Sequence, residues 1–145
     1  MLIRAARPDD GPQIAAISRE ARAHGMPWLA VVHTPAEDVD FFTNRVLAEQ
    51  TVLVAEHAGE RAGFAACRGS WLNHLYVAPR HWSFGIGSAL IARVQASHDR
   101  LELWAFQRNE GARRFYRRHG FHDTEYTDGD NNEEREPDVR MVWQA

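Results

Sequence analysis

Apolar residues recur along this chain with two different spacings, and the switches between those spacings mark out its elements. Leu2-Ile3-Arg4-Ala5 has the short pattern of a strand. Arg7-Pro8-Asp9-Asp10-Gly11-Pro12 then supplies the aspartates and prolines of a helix start. Ile14, Ile17 and Ala21, with Ala15 and Ala16 between them, form an apolar stripe of helical period that fades before Gly25 and Pro27. Thr34-Pro35-Ala36-Glu37 joins an N-cap to a first-turn Pro and a Glu at the third position. It predicts a second helix to about Glu49, with Val39, Phe42, Val46 and Leu47 as its buried stripe.

The β-branched run 51–55, the turn chemistry of His57-Ala58-Gly59-Glu60 and the renewed apolar run 61–68 predict a hairpin. Gly69-Ser70 breaks into a further strand over 71–77. Helical spacing returns at Ile86, Ala89, Leu90 and Val94 and lasts to about His98, and 101–106 reads as another strand. Asn109 caps a helix with Ala112, Phe115, Tyr116 and His119 on one stripe, ended by Gly120. Residues 121–127 and 139–143 are the last two strands. The order β-α-α-β-β-β-α-β-α-β-β mixes hairpins with crossovers, which predicts an α+β fold whose sheet has antiparallel and parallel portions.

Composition narrows the function classes. A length of 145 residues suits a single domain, and 44% hydrophobic with 26% charged residues is ordinary for a globular chain. No apolar run reaches the roughly 18 residues of a membrane span, and the first residues have neither a basic n-region nor an apolar h-region. The expectation is a cytoplasmic protein with no membrane partner. All 17 cationic residues are arginine. Without lysine there is no Schiff base and no P-loop lysine. The single Cys67 cannot form an intrachain disulfide and reads as a buried small hydrophobe rather than a nucleophile. None of the eight histidines are spaced as H-x-x-x-H, so no metal is expected.

Six carboxylates crowd into residues 128–138 against Arg135 alone. Such a block reads as a solvated loop, with attraction of a cationic substrate as the other reading, and it argues against nucleic acid as the main partner.

The segment that carries chemistry is Leu75-Tyr76-Val77-Ala78-Pro79-Arg80-His81-Trp82-Ser83-Phe84-Gly85-Ile86-Gly87-Ser88. A strand runs into a glycine-bearing turn that opens a helix, and such a helix start presents unpaired N–H groups at the positive end of a dipole. Glycines at 85 and 87 let main chain approach a phosphate and Ser88 adds a hydroxyl, so a diphosphate is the natural ligand; simple helix entry with close packing is the bland alternative.

Val77-x-Pro79 followed by Gly85-x-Gly87 resembles motif A of the GCN5-related N-acetyltransferase superfamily. Asn109-Glu110-Gly111-Ala112-Arg113-Arg114-Phe115-Tyr116-Arg117-Arg118-His119-Gly120-Phe121 resembles its motif B, N-x-x-A-x-x-F-Y-x-x-x-G-F, and the similarity extends over essentially the full chain. The resemblance implies a mixed sheet of about seven strands with four helices, splayed between the fourth and fifth strands. It also implies acetyl-CoA as acyl donor and an amine of a small molecule or peptide as acceptor, with direct transfer in a ternary complex. By the same resemblance Leu75, Tyr76 and Val77 meet the pantetheine arm and Trp82, Ser83, Phe84, Gly85, Ile86, Gly87 and Ser88 the pyrophosphate. The Leu75 N–H then stabilises the oxyanion, Tyr116 protonates the departing thiolate, and Asn109 caps its helix and bonds the pantetheine.

The chain departs from the family at Trp82, where the pattern R/Q-x-x-G-x-G/A supplies Arg or Gln; Arg80 is a candidate to restore that charge, and Trp82 to cover the turn or pack on Phe84. Period-two alternation puts Trp71, Asn73 and Leu75 on one face of their strand and His74 on the other. His74, Glu102, Glu20 or water are the candidates for the base. Met26, Pro27, Trp28 and Leu29 are candidates for an acceptor-site wall, and a homodimer is permitted. A CoA-binding sensor or scaffold without turnover is the competing function.

Overall fold

The computed structural model describes residues 1–145. Strand β1 (Leu2–Ala5) leads through a short 3-10 turn into helix α1 (Gly11–Gly25). Helix α2 starts at Pro35–Phe41 behind the Thr34 cap, passes through a π-helical stretch, Phe42–Val46, and finishes in the turn Leu47–Glu49. Thr34 Oγ1 accepts from the Glu37 N–H while the Glu37 carboxylate accepts from the Thr34 N–H, the reciprocal cap read from the sequence. Strands β2 (Thr51–His57), β3 (Glu60–Arg68) and β4 (Trp71–Val77) form a meander. Helix α3 (Ile86–Ala96), strand β5 (Arg100–Phe106), helix α4 (Glu110–Arg118) and strands β6 (His122–Tyr126) and β7 (Asp138–Gln144) complete the chain.

The seven strands lie in the order β1-β2-β3-β4-β5-β7-β6. All neighbours are antiparallel except β4 and β5, which run parallel and share a single register pair, Trp71 with Glu102. The Glu102 N–H donates to Ser70 O at 2.8 Å there, and beyond that point the two strands part.

Each face of the sheet carries its own core. Ile14, Ala15 and Ile17 of α1 and Phe42 and Val46 of α2 cover Val52, Val54, Phe64 and Ala66 on one face. Ile86, Leu90, Ile91 and Val94 of α3 cover Ala65, Cys67, Leu72, Leu101 and Leu103 on the other, with Phe115 and Tyr116 of α4 against them. Cys67 is buried and its thiol is pushed up to about 11 by that burial, so it stays protonated. Asp10 is the most buried acid, bonded by the guanidinium groups of Arg4 and Arg61 and by the Arg7 N–H. Burial opposes its charge, and these donors outweigh it, holding the carboxyl far below its usual range. The aspartate expected to start a helix thus also clamps β1 to β3.

The alternation expected along β4 is broken. The register shifts between Ala66 and Cys67, so that Ala66 faces His74 and Cys67 faces Leu72, leaving Asn73 as an extra residue. A bulge of this kind inverts the parity of the residues beyond it. Leu72, Leu75 and Val77 therefore share the α3–α4 face, while His74 and Tyr76 lie on the α1–α2 face. The pairing of Leu75 with Trp71 and Asn73 on one face is corrected accordingly.

Candidate active site

The parting of β4 and β5 opens a cleft of about 860 Å³. Its walls are Leu75, Tyr76 and Val77 on one side and Leu103, Trp104, Ala105 and Phe106 on the other, with the start of α3 at one end and Asn109, Phe115 and Tyr116 along α4. The Ala78 N–H donates to Ala62 O on β3, at 2.8 Å, so alternation turns the N–H and C=O groups of Leu75 and Val77 away from β3 and into the gap. Between β4 and α3 the backbone turns through left-handed conformations at Ser83, φ 74°, and at Gly85, φ 76°. The second needs glycine, and beyond its chain neighbours a Cβ there would meet no atom within 4 Å.

Most of the residues expected at the site gather here: Leu75, Tyr76, Val77, Trp82, Ser83, Gly85, Ile86, Gly87, Ser88, Asn109 and Tyr116 all line the cleft. Phe84 does not. It is exposed and lies against His57, ring centres 4.8 Å apart, on the outside of the turn. Trp82 does not pair with the Phe84 ring: its indole N–H donates to Val77 O at 2.7 Å, with His24 edge-on to the ring. Arg80 leaves the cleft and pairs with Glu60 and Glu20. Asn109 Oδ1 accepts from the Ala112 N–H and caps α4. Tyr116 packs edge-on to Phe115 and Phe121, and burial, with Tyr76 adding to it, raises its phenol above the ordinary range. The hydroxyl is protonated at every working pH.

The proposed bases fare unequally. Glu20 lies in a separate hollow of about 360 Å³ beside Arg80. Glu102 sits where β4 and β5 last touch and is bonded by Arg140 and Arg100. His74 is boxed by Phe41, Phe42, Phe64 and Tyr76. Burial first, and Arg22 second, push its imidazole down to about 4, so it is neutral at pH 7. Because the unfolded imidazole takes up its proton near 6.5 and the folded one near 4, stability should fall as pH drops through that window. Urea titrations across it are expected to show the slope, and His74→Phe to flatten it.

The acidic loop is neither freely solvated nor an open lure for cations. Glu133 bonds His33 at 2.6 Å, Glu134 bonds Arg22 at 2.8 Å, Glu136 lies 3.6 Å from Arg108, and Asp138 is held by Thr127 and Asn132. Its charges dock it onto α1 and the α1–α2 link. Of the 26–29 segment only Met26 lines the cleft; Trp28 does not, lying edge-on to Phe106 and under the Arg108 guanidinium, two residues that do, and Leu29 is buried. Trp104, stacked on Trp71 with planes 9° apart, was not foreseen on this face. Nor was Arg118, which lines the cleft; in sequence nothing separates it from Arg113, Arg114 and Arg117. No three His, Cys, Asp or Glu side chains converge as a metal-binding group, and no helix is long and apolar enough to cross a membrane.

Residues 48–123 match the acetyltransferase (GNAT) domain family. Over 122 residues the chain is 31% identical to the peptidyl-lysine N-acetyltransferase YiaC of Escherichia coli strain K12, covering 83% of each protein. The apo form of YjaB from Escherichia coli superposes with a TM-score of 0.81 at 22% identity, over 98% of this chain and 96% of that one. YncA of Salmonella typhimurium, solved with acetyl-CoA, does so with a TM-score of 0.74 at 21% identity, over 99% and 93%. With a split mixed sheet, both sequence motifs and these relatives in agreement, the chain belongs to the GNAT family of N-acetyltransferases and is an acyltransferase.

Proposed function

We propose that the chain transfers the acetyl group of acetyl-CoA directly to a primary amine of a peptide or small molecule. The observation that carries this reading is the gap between β4 and β5, into which the Leu75 N–H and C=O and the Val77 N–H are turned, the Val77 carbonyl being taken by the Trp82 indole, and which leads to the turn at Ser83–Ser88. A pantetheine arm carries amides that can pair with those groups, and the diphosphate suits the N–H groups that open α3. The amine attacks the thioester carbon, forming C–N while the negative charge gathers on oxygen. The Leu75 N–H faces that oxygen, and a fixed donor of this kind is worth several kcal/mol. C–S cleavage then sends the electron pair to sulfur, which takes the Tyr116 proton; the ammonium proton leaves to water and Tyr116 is reprotonated from solvent. With His74 neutral but of low basicity and Glu102 held by arginines, proximity of amine and thioester carries the rate without a strong side-chain base.

The acceptor face, with Trp104 and with Phe106 backed edge-on by Trp28, suits an apolar or aliphatic arm behind the amine. Peptidyl lysine is the first acceptor to test, given the function named for the Escherichia coli relative. Because these 145 residues include no lysine, acetyl-lysine found after a reaction with a protein acceptor belongs to the acceptor. Isothermal titration with acetyl-CoA, followed by thiol release across lysine peptides, free peptide N-termini, polyamines and aromatic amines, tests the proposal. Micromolar-range binding and release above hydrolysis for one amine class are expected. Binding without release for any amine favours the sensor reading, and absence of binding overturns both.

A further inference from the structure

The cleft is short of positive charge where a polyanionic donor would enter it. Trp82 stands where the family pattern places Arg or Gln and commits its indole N–H to Val77. Arg80 is held by Glu60 and Glu20, and Arg108 lies over Trp28 with Glu136 beside it. On α4, Arg113 and Arg117 share Asp123, and Arg114 lies near Glu110. Arg118 alone among these lines the cleft without a carboxylate partner.

Its neighbours fix its place along the cleft. The Arg118 guanidinium carbon is 5.9 Å from the centre of the Phe115 ring, and Phe115 Cζ would stand 3.4 Å from a Cβ at Gly87. Ser88 Oγ and His119 Nε2 are 3.1 Å apart, so the last turn of α4 abuts the first turn of α3. Burial and the Arg118 charge both push the His119 imidazole down, which leaves the positive charge of this corner to Arg118.

We infer that Arg118 is the cation that binds a phosphate of the acyl donor's nucleotide end, the charge having moved from the β4–α3 turn to the last turn of α4. This rests on the proposed function. A guanidinium is permanently charged and matches phosphate oxygens in pairs, and the Phe115 ring beneath it limits its freedom before the ligand arrives. The donor offers two sources of the same chemistry, the diphosphate and the 3′-phosphate monoester.

Titration of the protein, Arg118→Gln and Arg118→Lys with CoA, dephospho-CoA and pantetheine tests the assignment. Arg118→Gln should weaken CoA binding about 10- to 30-fold, within the range for a charge-assisted contact, and leave pantetheine unaffected. Arg118→Lys should recover part of the loss. A deficit that vanishes with dephospho-CoA upholds the inference and assigns the monoester; one that persists upholds it and assigns the diphosphate. CoA affinity within about twofold of the parent protein, or an equal loss for pantetheine, overturns it. Failure of the parent protein itself to bind CoA more tightly than pantetheine overturns the proposed function instead, so the two failures are told apart.

Discussion

Gly85→Val should cost the protein at least about 100-fold in acetyl-CoA affinity, or about 2.7 kcal/mol, while leaving it folded. Two effects act at once. The residue holds φ at 76°, a region that β-branched side chains rarely occupy, so the turn must rebuild and its N–H groups lose their common aim. The new side chain also adds bulk at a residue that lines the cleft, where the donor's phosphates are proposed to lie. Gly59→Val is the matched control. Gly59 holds φ at 77° in the β2–β3 turn, also with no atom within 4 Å of a Cβ, and it does not line this cleft. Both variants carry about 1–2 kcal/mol of backbone strain. Calorimetric titration should find only Gly85→Val defective; equal affinity in the two variants would remove the turn from the donor site.

Tyr116→Phe should lower kcat about 100-fold with KM for acetyl-CoA held within about twofold, the signature of a proton donated in the transition state rather than a ground-state contact. Phenylalanine keeps the ring between Phe115 and Phe121, so packing is conserved and only the hydroxyl is removed. The raised pKa sharpens the test, since the phenol cannot be the source of a basic limb in the pH–rate profile near neutrality. A rise in KM with kcat unchanged would make Tyr116 a binding residue.

Features decided by neighbours in sequence were legible in the sequence. The Thr34 cap, the β2–β3 hairpin, the glycine turn into α3, the Asn109 cap and the Gly120 stop each depend on residues a few positions apart, and each stands in the fold. The family motifs brought the cleft residues with them for the same reason. Features that depend on partners far along the chain were not legible. The bulge at Asn73 arises in pairing with β3 and reverses the inferred faces of β4. The placement of β7 between β5 and β6 leaves no mark in period-two alternation. Arg22 and Glu134 are 112 residues apart, so a loop with a local charge of one sign reads as solvated although its counter-charges lie on α1. Arg80 and Arg118 differ only in whether an acid from another element claims them.

The single shared rung between β4 and β5 gives the free protein two internal sheet edges. An exposed edge ordinarily recruits other strands, and proteins guard against this with charge, proline or cover. Here divergence does the guarding, because a strand needs a constant spacing of about 4.8 Å to ladder with both neighbours and the two lips offer it nowhere beyond Trp71 and Glu102. A slender chain with isolated amides can bond one lip where a polypeptide strand cannot fill the wedge. Such a ligand adds RT ln(1 + [L]/Kd) to the folding free energy, about 2.7 kcal/mol at a hundredfold excess over Kd. Under the proposed function, the stability of the folded chain rises with the supply of its acyl donor.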